Sequence, residues 1–494
     1  MNRLSLATLP AARAGVAGPR VVPSSIGVVH LGLGAFHRAH QAVLTEDAAA
    51  AADDDRWGIL GVTQRSARVV DQLAPQDGLY GVLTKGAEAT SLRVIGALRG
   101  VAFPGTSSPA VLARLAAPTT HVVTLTVTEK GYRRTADGGP DLSDPDLAAD
   151  LLALRDELGG TTPSAPARSP IGLLVRGLAL RQRNDAGPVT VVCCDNLSDN
   201  GRVLSELVGR VVEVGGSASL RTWVEQNVRF PSTMVDRIVP ATTAAHRAEA
   251  AELLGLEDAG LVVGEPFTQW VIEDDFAGPR PAWHLAGATM THDVAPYERA
   301  KLRVLNASHS TLAYLGALRG YATIAEAVSD PDLAAVSRAL VDDDVLPTLT
   351  PPDGTDLGAY RDEVLHRFAN PATGHTTVQV AMDGSVKLPQ RLLGTVRDRI
   401  AAGAVPDAAA TAIAAWAAYV HATTHGALLV DGREVRLDDP MAARLAEAAD
   451  GTLDGVAGRL LSLREIFGDD LSQDDAFRTA VTQAFRELVT PVHA

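Results

Sequence analysis

Short, almost uninterrupted runs of apolar and β-branched residues recur through the first half of the chain. The runs are IGVVHL (26–31), GILGV (58–62), LRVIGAL (92–98), HVVTLTV (121–127) and VTVVCC (189–194). Such runs are typical of strands that are buried on both faces. Stretches of helical character lie between them, for example at 38–52 and 109–116. This alternation predicts an α/β domain built on a parallel, doubly wound sheet.

The pattern changes from about residue 286, where Ala and Leu recur at helical spacing and strand-like runs are few. The stretches 323–343 and 406–425 are examples. They predict a mainly α-helical second domain. The Pro- and Gly-containing segment 277–283 is the preferred boundary, which gives domains of 1–285 and 286–494.

Composition narrows the class of protein. A chain of 494 residues with 46% hydrophobic and 21% charged residues is typical of a globular protein with two large domains. The net charge of -15 argues against a nucleic-acid partner, which would need clustered Lys and Arg. Its only cysteines, Cys193 and Cys194, are adjacent, no signal peptide is recognisable, and the apolar stretch 411–420 is too short to span a membrane. We therefore expect a soluble, cytoplasmic protein.

A glycine turn follows the first predicted strand directly. Gly32 and Gly34 lie between this strand and a predicted helix, where glycines allow a pyrophosphate to approach the backbone and the helix N-terminus. His37 replaces the third glycine of GxGxxG, and the alternative is a turn that only lets the helix pack on the strand. Arg38 could contact a phosphate or could be a solvated residue of the first turn. We expect a dinucleotide-binding turn.

The residues after the second predicted strand bear on the choice of cofactor. NAD-binding domains commonly place an acid there, which accepts the ribose hydroxyls. Here Thr63-Gln64-Arg65-Ser66 follows the strand, and Arg65 and Arg68 are basic. The sequence therefore leaves both NAD and NADP open.

A polar cluster interrupts the apolar pattern at the start of the second half. On an α-helix that turns about 100° per residue, Glu298, Asn306 and His309 all lie within about 140° of Lys301. A lysine whose pKa is lowered by apolar neighbours can exchange a proton with a hydroxyl, and an amide can donate to an alkoxide. The alternative is a surface ion pair of Glu298 with Lys301 beside two residues that satisfy helix-packing hydrogen bonds.

The stretch YERAKLRVLNASHSTLAYLG resembles the Lys-x4-Asn-x2-His signature of the polyol-specific long-chain dehydrogenases, the mannitol dehydrogenase family. Further stretches resemble that family in the same order: GLGAFHRAHQ, LTVTEKGY (125–132), CCDNLSDNG (193–201), PSTMVDRIVPAT (231–242) and EPFTQWVIEDDF (265–276). The resemblance implies a Rossmann-type N-terminal domain and a mostly helical C-terminal domain. It also implies a metal-independent oxidoreductase that uses NAD and acts on a secondary alcohol or its ketone.

The resemblance implies roles for individual residues. Lys301 is similar to the general acid/base of the family, and Asn196 and Asn306 to the pair that holds the substrate oxygen. The resemblance also implies that His309 positions the substrate and that Glu298 relays protons. The implied substrate contacts are Val235, Asp236, Gln379 and Lys387. The implied cofactor-binding residues are Gly32, Gly34, Ala35, Phe36, Arg65, Thr128 and Glu129.

Within the family, four stretches are most similar to the fructuronate reductase (mannonate oxidoreductase) branch: 85–98, 351–360, 378–393 and 464–471. Gln379 stands where mannitol dehydrogenases carry an arginine, eight residues before Lys387. The resemblance therefore implies interconversion of D-fructuronate and D-mannonate. The alternatives are mannitol 2-dehydrogenase or a related polyol dehydrogenase, and tagaturonate reductase.

Three other classes of protein have weaker support. His421 and His425 have the spacing of a zinc pair, but HATTH lacks the glutamate of HExxH. A hydrolase built on Ser308 and His309 lacks a GxSxG turn, and neighbouring helix residues diverge by about 100°. A nucleotide-binding sensor without catalysis is the third. We expect no metal, a small-molecule sugar acid or polyol as ligand, no membrane partner, and a monomer or small homo-oligomer.

Overall fold

A computed structural model describes residues 1–135 and 137–490 of the chain. The chain forms two compact units, Met1–Val294 and Ala295–Ala494. The boundary expected after residue 285 stays a prediction.

Over its described residues, 1–135 and 137–294, the first unit forms three sheets. Its strands are β1 (Ile26–Leu31), β2 (Gly58–Val62), β3 (Tyr80–Lys85), β4 (Thr90–Ile95), β5 (Leu98–Ala102), β6 (Val122–Leu125), β7 (Val189–Cys193), β8 (Val228–Arg229), β9 (Thr233–Asp236), β10 (Val262–Gly264), β11 (Gln269–Glu273) and β12 (Thr289–Thr291). The central sheet has six parallel strands in the order β5-β2-β1-β6-β7-β8, and the smaller sheets are β10-β3-β4 and β12-β11-β9. Every residue of β6 and β7 is buried, which is why these strands are continuous apolar runs.

Helices cover both faces of the central sheet. The first unit contains α1 (Ala35–Ala39), α2 (Gln41–Ala51), α3 (Arg68–Leu73), α4 (Pro104–Leu115), α5 (Pro145–Leu158), α6 (Pro170–Arg183), α7 (Asn200–Gly215), α8 (Ala218–Asn227) and α9 (Ala244–Leu254), the last of which packs against β3 and β4. Successive residues of β1 belong to different cores, because Val29 packs with α4 to α8 and Val28 packs with α2. The predicted doubly wound, Rossmann-type sheet is confirmed.

The run at 92–98, expected as one strand, contains parts of two. Gly96 and Ala97 separate β4, which pairs antiparallel with β3, from β5, which joins the edge of the parallel sheet. The cause is Glu46, a fully buried carboxylate that accepts the Gly96 N–H and pairs with Arg93. A buried charge needs such partners, so it takes the chain out of the ladder at this point.

The second unit is almost entirely helical, as the sequence predicts. It contains α10 (Ala295–Ala300), α11 (Ala307–Leu318), α12 (Ile324–Ser329), α13 (Pro331–Ala339), α14 (Leu357–Phe368), α15 (Thr377–Ala381), α16 (Gly384–Leu388), α17 (Gly394–Ala401), α18 (Asp407–Thr424), α19 (Ala442–Ala449), α20 (Leu453–Leu461), α21 (Arg464–Leu471), α22 (Asp475–Val489) and a hairpin of β13 (Leu429–Val430) and β14 (Arg433–Glu434). The alanine-rich α18 is buried along most of its length and packs against α11 and α22. Within residues 1–135 and 137–490, no helix combines the length and hydrophobicity needed to cross a bilayer.

Between residues 295 and 490, three stretches have the wider π-helical hydrogen bonding. They are 301–306, which joins α10 to α11, 340–345, which follows α13, and 389–393, which joins α16 to α17. The first stretch contacts both of the others. Such turns are rare and often occur at functional sites.

Candidate active site

The two glycines of the turn after β1 meet different surroundings. Gly32 has φ +103°, and a Cβ added there would lie 2.1 Å from the carbonyl oxygen of Thr126. Gly34 caps α1, and a Cβ added there would meet nothing closer than the Gly32 oxygen, at 3.6 Å. The backbone at Gly34 is therefore open to a ligand, and this open turn fits a pyrophosphate. Ala35 and Phe36, the first residues of α1, are half-buried beside it.

The turn is held from both sides by the neighbouring strands. The N–H groups of Gly32 and Leu33 donate to the carbonyl of Val62 at the end of β2, at 2.8 and 3.0 Å. The Thr126 hydroxyl after β6 donates to the Gly32 oxygen at 2.9 Å, and it also lies 2.9 Å from Nε2 of His30. The shape of the turn is thus fixed by hydrogen bonds within the first unit.

His37, at the third glycine position, fills the space between α1 and β1. Its ring stacks on that of His30 with 3.4 Å between the centroids, and both side chains are buried. Burial lowers the pKa of His30 to about 3 and that of His37 well below its usual value, so both rings are neutral. The stacked His30 and His37 rings thus pack α1 against β1, although the third glycine of GxGxxG is absent.

Arg38 is not the solvated first-turn residue that the sequence allowed. It is buried, its Nε donates to the Gly34 carbonyl at 3.1 Å, and it donates to the carbonyl of Gly260. Its guanidinium lies 5.7 Å from the centre of the Tyr80 ring. Burial lowers the pKa of Arg38, and its bonds tie α1 to the rest of the unit.

The other expected cofactor residues lie in the loops that follow β2 and β6. Arg65 is exposed, three residues after β2 ends. Thr128 and Glu129 are exposed after β6, and Thr128 has φ +67°, a strained value for a residue with a side chain. These loops lie at the carboxyl ends of parallel strands, where open α/β sheets bind ligands.

Asp195 holds the loop after β6 in this conformation. Its two carboxylate oxygens accept the N–H groups of Val127 and Thr128, both at 2.9 Å, and the hydroxyl of Tyr132 donates to it at 2.7 Å. Burial raises the pKa of Asp195, which those three hydrogen bonds oppose. Because Asn196 is the next residue, the same carboxylate fixes the start of the loop that carries the expected oxygen-binding amide.

Asn200 ties this loop to β9. Its Nδ2 donates to the carbonyls of Asp195 and Thr233, and its Oδ1 accepts the Thr233 N–H, each at 2.9 Å. Val235 and Asp236, the expected substrate contacts, are buried two and three residues further along β9. Asn196 itself is exposed. Asp195 and Asn200 thus connect the loops that follow β6 and β7 with β9, and the sequence pattern did not single out either residue.

Cys193 and Cys194 are buried free thiols at the end of β7. Burial raises the pKa of Cys193 to about 12 and raises that of Cys194 well above its usual value. The sulfur of Cys193 lies 2.8 Å from the Tyr132 hydroxyl. Both thiols are therefore protonated and pack the strand.

In the second unit, Lys301 begins the π-helical stretch and Asn306 ends it. The amide of Ala307 donates to the carbonyl of Leu302, five residues back. The α-helical angles expected for this segment are therefore wrong. With bonds between residues five apart, Asn306 lies more nearly above Lys301 than the angle of about 140° on an α-helix would allow.

Lys301 is only 8% exposed, and its neighbours Val304 and Leu305 are buried. It is therefore not the surface residue of the alternative interpretation. Glu298 and Asn306 are half-buried on the same continuous helix. A buried amine, a carboxylate one turn away and an amide are groups that can exchange and carry a proton.

His309 lies between two flat side chains. Its ring centroid is 4.6 Å from that of Phe368 and 5.5 Å from that of His375, with both pairs stacked. In the described part of the chain, its Nε2 has no hydrogen-bond partner. Burial, and then the electrostatic effects of His375, Arg391 and Lys387, lower the pKa of His309 well below its usual value. The ring is neutral and has a ring nitrogen left over for a ligand.

Gln379 and Lys387 differ in their surroundings. Gln379 is exposed on α15, and its N–H donates to the Thr376 hydroxyl at 3.2 Å. Lys387 is half-buried on α16, and its Nζ donates to the carbonyl of Val380 at 3.1 Å. Burial and the nearby Arg391 lower the pKa of Lys387 to about 8.

Two of the alternative functions find little support in these surroundings. The rings of His421 and His425 lie 4.3 Å apart, but residues 1–135 and 137–490 contain no group of three His, Cys, Asp or Glu placed to hold a metal. Over the same residues, the buried hydroxyl of Ser308 makes no hydrogen bond, so it is not paired with a histidine as a hydrolase would require.

Comparison with known proteins gives consistent matches along the whole chain. The mannitol dehydrogenase Rossmann domain matches residues 26–285, and the mannitol dehydrogenase C-terminal domain matches residues 293–489. D-mannonate oxidoreductase of Escherichia coli (strain K12) is 42% identical over 468 residues, which are 93% of each chain. A mannitol 2-dehydrogenase of Pyrenophora tritici-repentis is 35% identical and covers 94% of this chain and 79% of its own. Among solved structures, the Pseudomonas fluorescens mannitol 2-dehydrogenase ternary complex with NAD and D-mannitol has a TM-score of 0.84 at 34% identity, covering 98% of this chain and 96% of that one.

Proposed function

The chain belongs to the mannitol dehydrogenase family, whose members are oxidoreductases acting on CH–OH groups, and we propose that it interconverts D-fructuronate and D-mannonate with NAD. The choice of this substrate pair rests on the 42% identity with D-mannonate oxidoreductase across 93% of both chains. Mannitol 2-dehydrogenase, at 35% identity, and tagaturonate reductase are the alternatives. The cytoplasmic location and the small homo-oligomer or monomer expected from the sequence stay predictions.

We propose that the cofactor binds at the turn after β1. Gly34, whose backbone is open, would lie against the pyrophosphate together with Gly32, Ala35 and Phe36. When bound, the nicotinamide supplies or accepts the hydride. Arg65 would lie near the adenosine ribose, and Thr128 and Glu129 would contact the cofactor from the loop after β6. No acid stands directly after β2, where Thr63-Gln64-Arg65-Ser66 follows, so NADP stays a second candidate cofactor.

The proposed proton chemistry rests with the π-helical stretch. Lys301 gives a proton to the substrate oxygen during reduction and takes it back during oxidation, and Glu298 relays that proton to and from water. Burial of Lys301 supports this role, because a desolvated amine loses its proton more readily than one in water. Asn306 and Asn196 donate hydrogen bonds to the oxygen while it carries negative charge.

The remaining residues hold the sugar chain. The neutral His309, with Nε2 unpartnered in the described part of the chain, is suited to accept or donate a hydrogen bond to a substrate hydroxyl. Val235 and Asp236 of β9, and Gln379 and Lys387 of the second unit, are the further proposed contacts. Orientation by several such groups is what makes the transfer effectively unimolecular.

A substrate panel tests this function. Purified protein is assayed for oxidation of NADH and NADPH, at 340 nm, against D-fructuronate, D-tagaturonate and D-fructose. We expect the highest kcat/KM with D-fructuronate and NADH. Fastest turnover of D-fructose would show that the enzyme is a polyol dehydrogenase, and no turnover of any ketose would contradict the proposal altogether.

A further inference from the structure

Arg391, which the sequence did not single out within the stretch 378–393, lies against the helix that carries Lys301. It belongs to the π-helical stretch 389–393, which contacts the stretch 301–306. Its Nη1 donates to the hydroxyl of Ser310 at 2.9 Å and to the carbonyl of Asn306 at 3.4 Å. These bonds place its guanidinium beside the main chain of Asn306, the residue whose side chain is proposed to bind the substrate oxygen.

The guanidinium of Arg391 has no acidic partner among the described residues. Both of its hydrogen bonds go to neutral oxygens, and they use only one of its three nitrogens. Its side chain is half-buried, so part of it remains accessible. Burying a cation without an anion is costly unless its hydrogen bonds compensate. The buried Arg38 donates to carbonyls from two of its nitrogens, whereas Arg391 uses one. Arg303, on the facing π-helical stretch, pairs with Asp398 at 2.6 Å.

Other basic side chains lie near Arg391 and His309. Lys387 precedes Arg391 by four residues, and the ring of His375 stacks 5.5 Å from that of His309. All three basic side chains act on the His309 imidazole, as does Arg367. The Nζ of Lys387 donates to a carbonyl oxygen and not to an acid.

Asp439 and Asp383 act on Lys387, and among the described residues neither forms an ion pair with Lys387 or Arg391. Asp439 accepts the N–H and hydroxyl of Ser385, at 2.8 and 2.5 Å, and the N–H of Met441 at 2.8 Å. Asp383 raises the pKa of Lys387 without pairing with it. Within residues 1–135 and 137–490, Arg391 and Lys387 therefore have no ion-pair partner, in a chain with a net charge of -15. A neutral polyol would not supply one, whereas a sugar acid would.

We propose that Arg391, assisted by Lys387, binds the carboxylate of a sugar-acid substrate and thereby selects it over the neutral ketose. A guanidinium fork matches a carboxylate in two parallel hydrogen bonds, which a lysine cannot reproduce. This inference rests on the proposed function, since only a uronate substrate brings a carboxylate to the site.

The test compares two substrates in the Arg391→Met variant, which removes the charge and keeps most of the side-chain volume. We expect kcat/KM for D-fructuronate to fall by roughly 10- to 150-fold, as for loss of a charged hydrogen bond, chiefly through KM. For D-fructose we expect a fall below about threefold, as for a contact that a neutral substrate does not make. The Arg391→Lys variant should restore part of the preference. Arg303→Met, which removes an arginine that already has a carboxylate partner, should leave the ratio of the two substrates unchanged.

Equal losses for both substrates in Arg391→Met would mean that Arg391 only holds Asn306 in place, and would overturn the inference while leaving the proposed function intact. A wild-type enzyme that does not turn over D-fructuronate would instead overturn the proposed function. If the Arg391→Met variant does not fold, inhibition of the wild-type enzyme by D-gluconate and by sorbitol tests the inference instead. We expect D-gluconate to compete with D-fructuronate at least tenfold better than sorbitol does, and equal inhibition would overturn the inference.

Discussion

Replacing Gly32 and Gly34 separately with alanine should give two different defects, although the residues share one turn. Gly32 has φ +103°, which residues with side chains rarely adopt, and its added Cβ would lie 2.1 Å from the Thr126 oxygen. Gly34 has φ -106°, and its added Cβ would lie 3.6 Å from the nearest atom. The first glycine is therefore needed by the fold, and the second is needed only by a ligand that approaches the backbone.

The structure sets the size of each effect. At Gly32, left-handed backbone costs about 1–2 kcal/mol and forcing the turn away from Thr126 costs about 1–3 kcal/mol more, so the free energy of unfolding should fall by about 2–5 kcal/mol. At Gly34, alanine fits the backbone, and the free energy of unfolding should change by less than about 1 kcal/mol. The methyl group there should nevertheless weaken NADH binding at least about tenfold, because it occupies the path of the pyrophosphate.

Urea unfolding followed by circular dichroism measures the first effect, and titration of NADH fluorescence measures the second. Gly18→Ala is the matched control, since an added Cβ there meets nothing within 4 Å, and it should change neither quantity. A Gly32→Ala variant as stable as the wild type would refute the steric argument. A Gly34→Ala variant that binds NADH as the wild type does would refute the proposed place of the cofactor.

Further changes test the rest of the site. Lys301→Ala should lower kcat by roughly 100- to 10,000-fold while NADH binding, measured by fluorescence, survives; wild-type turnover would contradict its acid/base role. Asp195→Ala removes the acceptor of two backbone amides and the Tyr132 hydroxyl, so urea unfolding should show a loss of about 2–4 kcal/mol. The ratio of kcat/KM for D-fructuronate to that for D-fructose should fall as the pH rises through about 8, because the lowered pKa of Lys387 means that its charge is lost there, and Lys387→Arg should abolish that fall. Arg65→Ala should lower kcat/KM with NADPH more than with NADH, and equal losses would show that Arg65 does not contact a 2′-phosphate.

The elements that the sequence predicted correctly depend on local pattern. The runs at 26–31 and 58–62 correspond to β1 and β2, since strands buried on both faces must be apolar at every position. The division of 92–98 between β4 and β5 escaped prediction because it depends on Glu46, which is about fifty positions away in the chain. Local pattern does not reveal a partner so distant.

The same distinction applies to the candidate site. Lys301, Asn306 and His309 could be picked out because polar residues are unusual on an apolar helix. The π-helical bonding of that segment could not, because it accompanies packing against two other such stretches that are distant in sequence. Asp195 and Arg391 were missed for a related reason: their hydrogen bonds reach residues 67 and 81 positions away, respectively.

Transfer of isotope from the cofactor tests the central claim most directly. The enzyme is incubated with D-fructuronate and NADH that carries deuterium at both C4 positions, and the product is examined by NMR. Direct transfer predicts D-mannonate with one deuterium on the carbon that was the ketone. D-mannonate without deuterium, or no D-mannonate at all, would contradict the account.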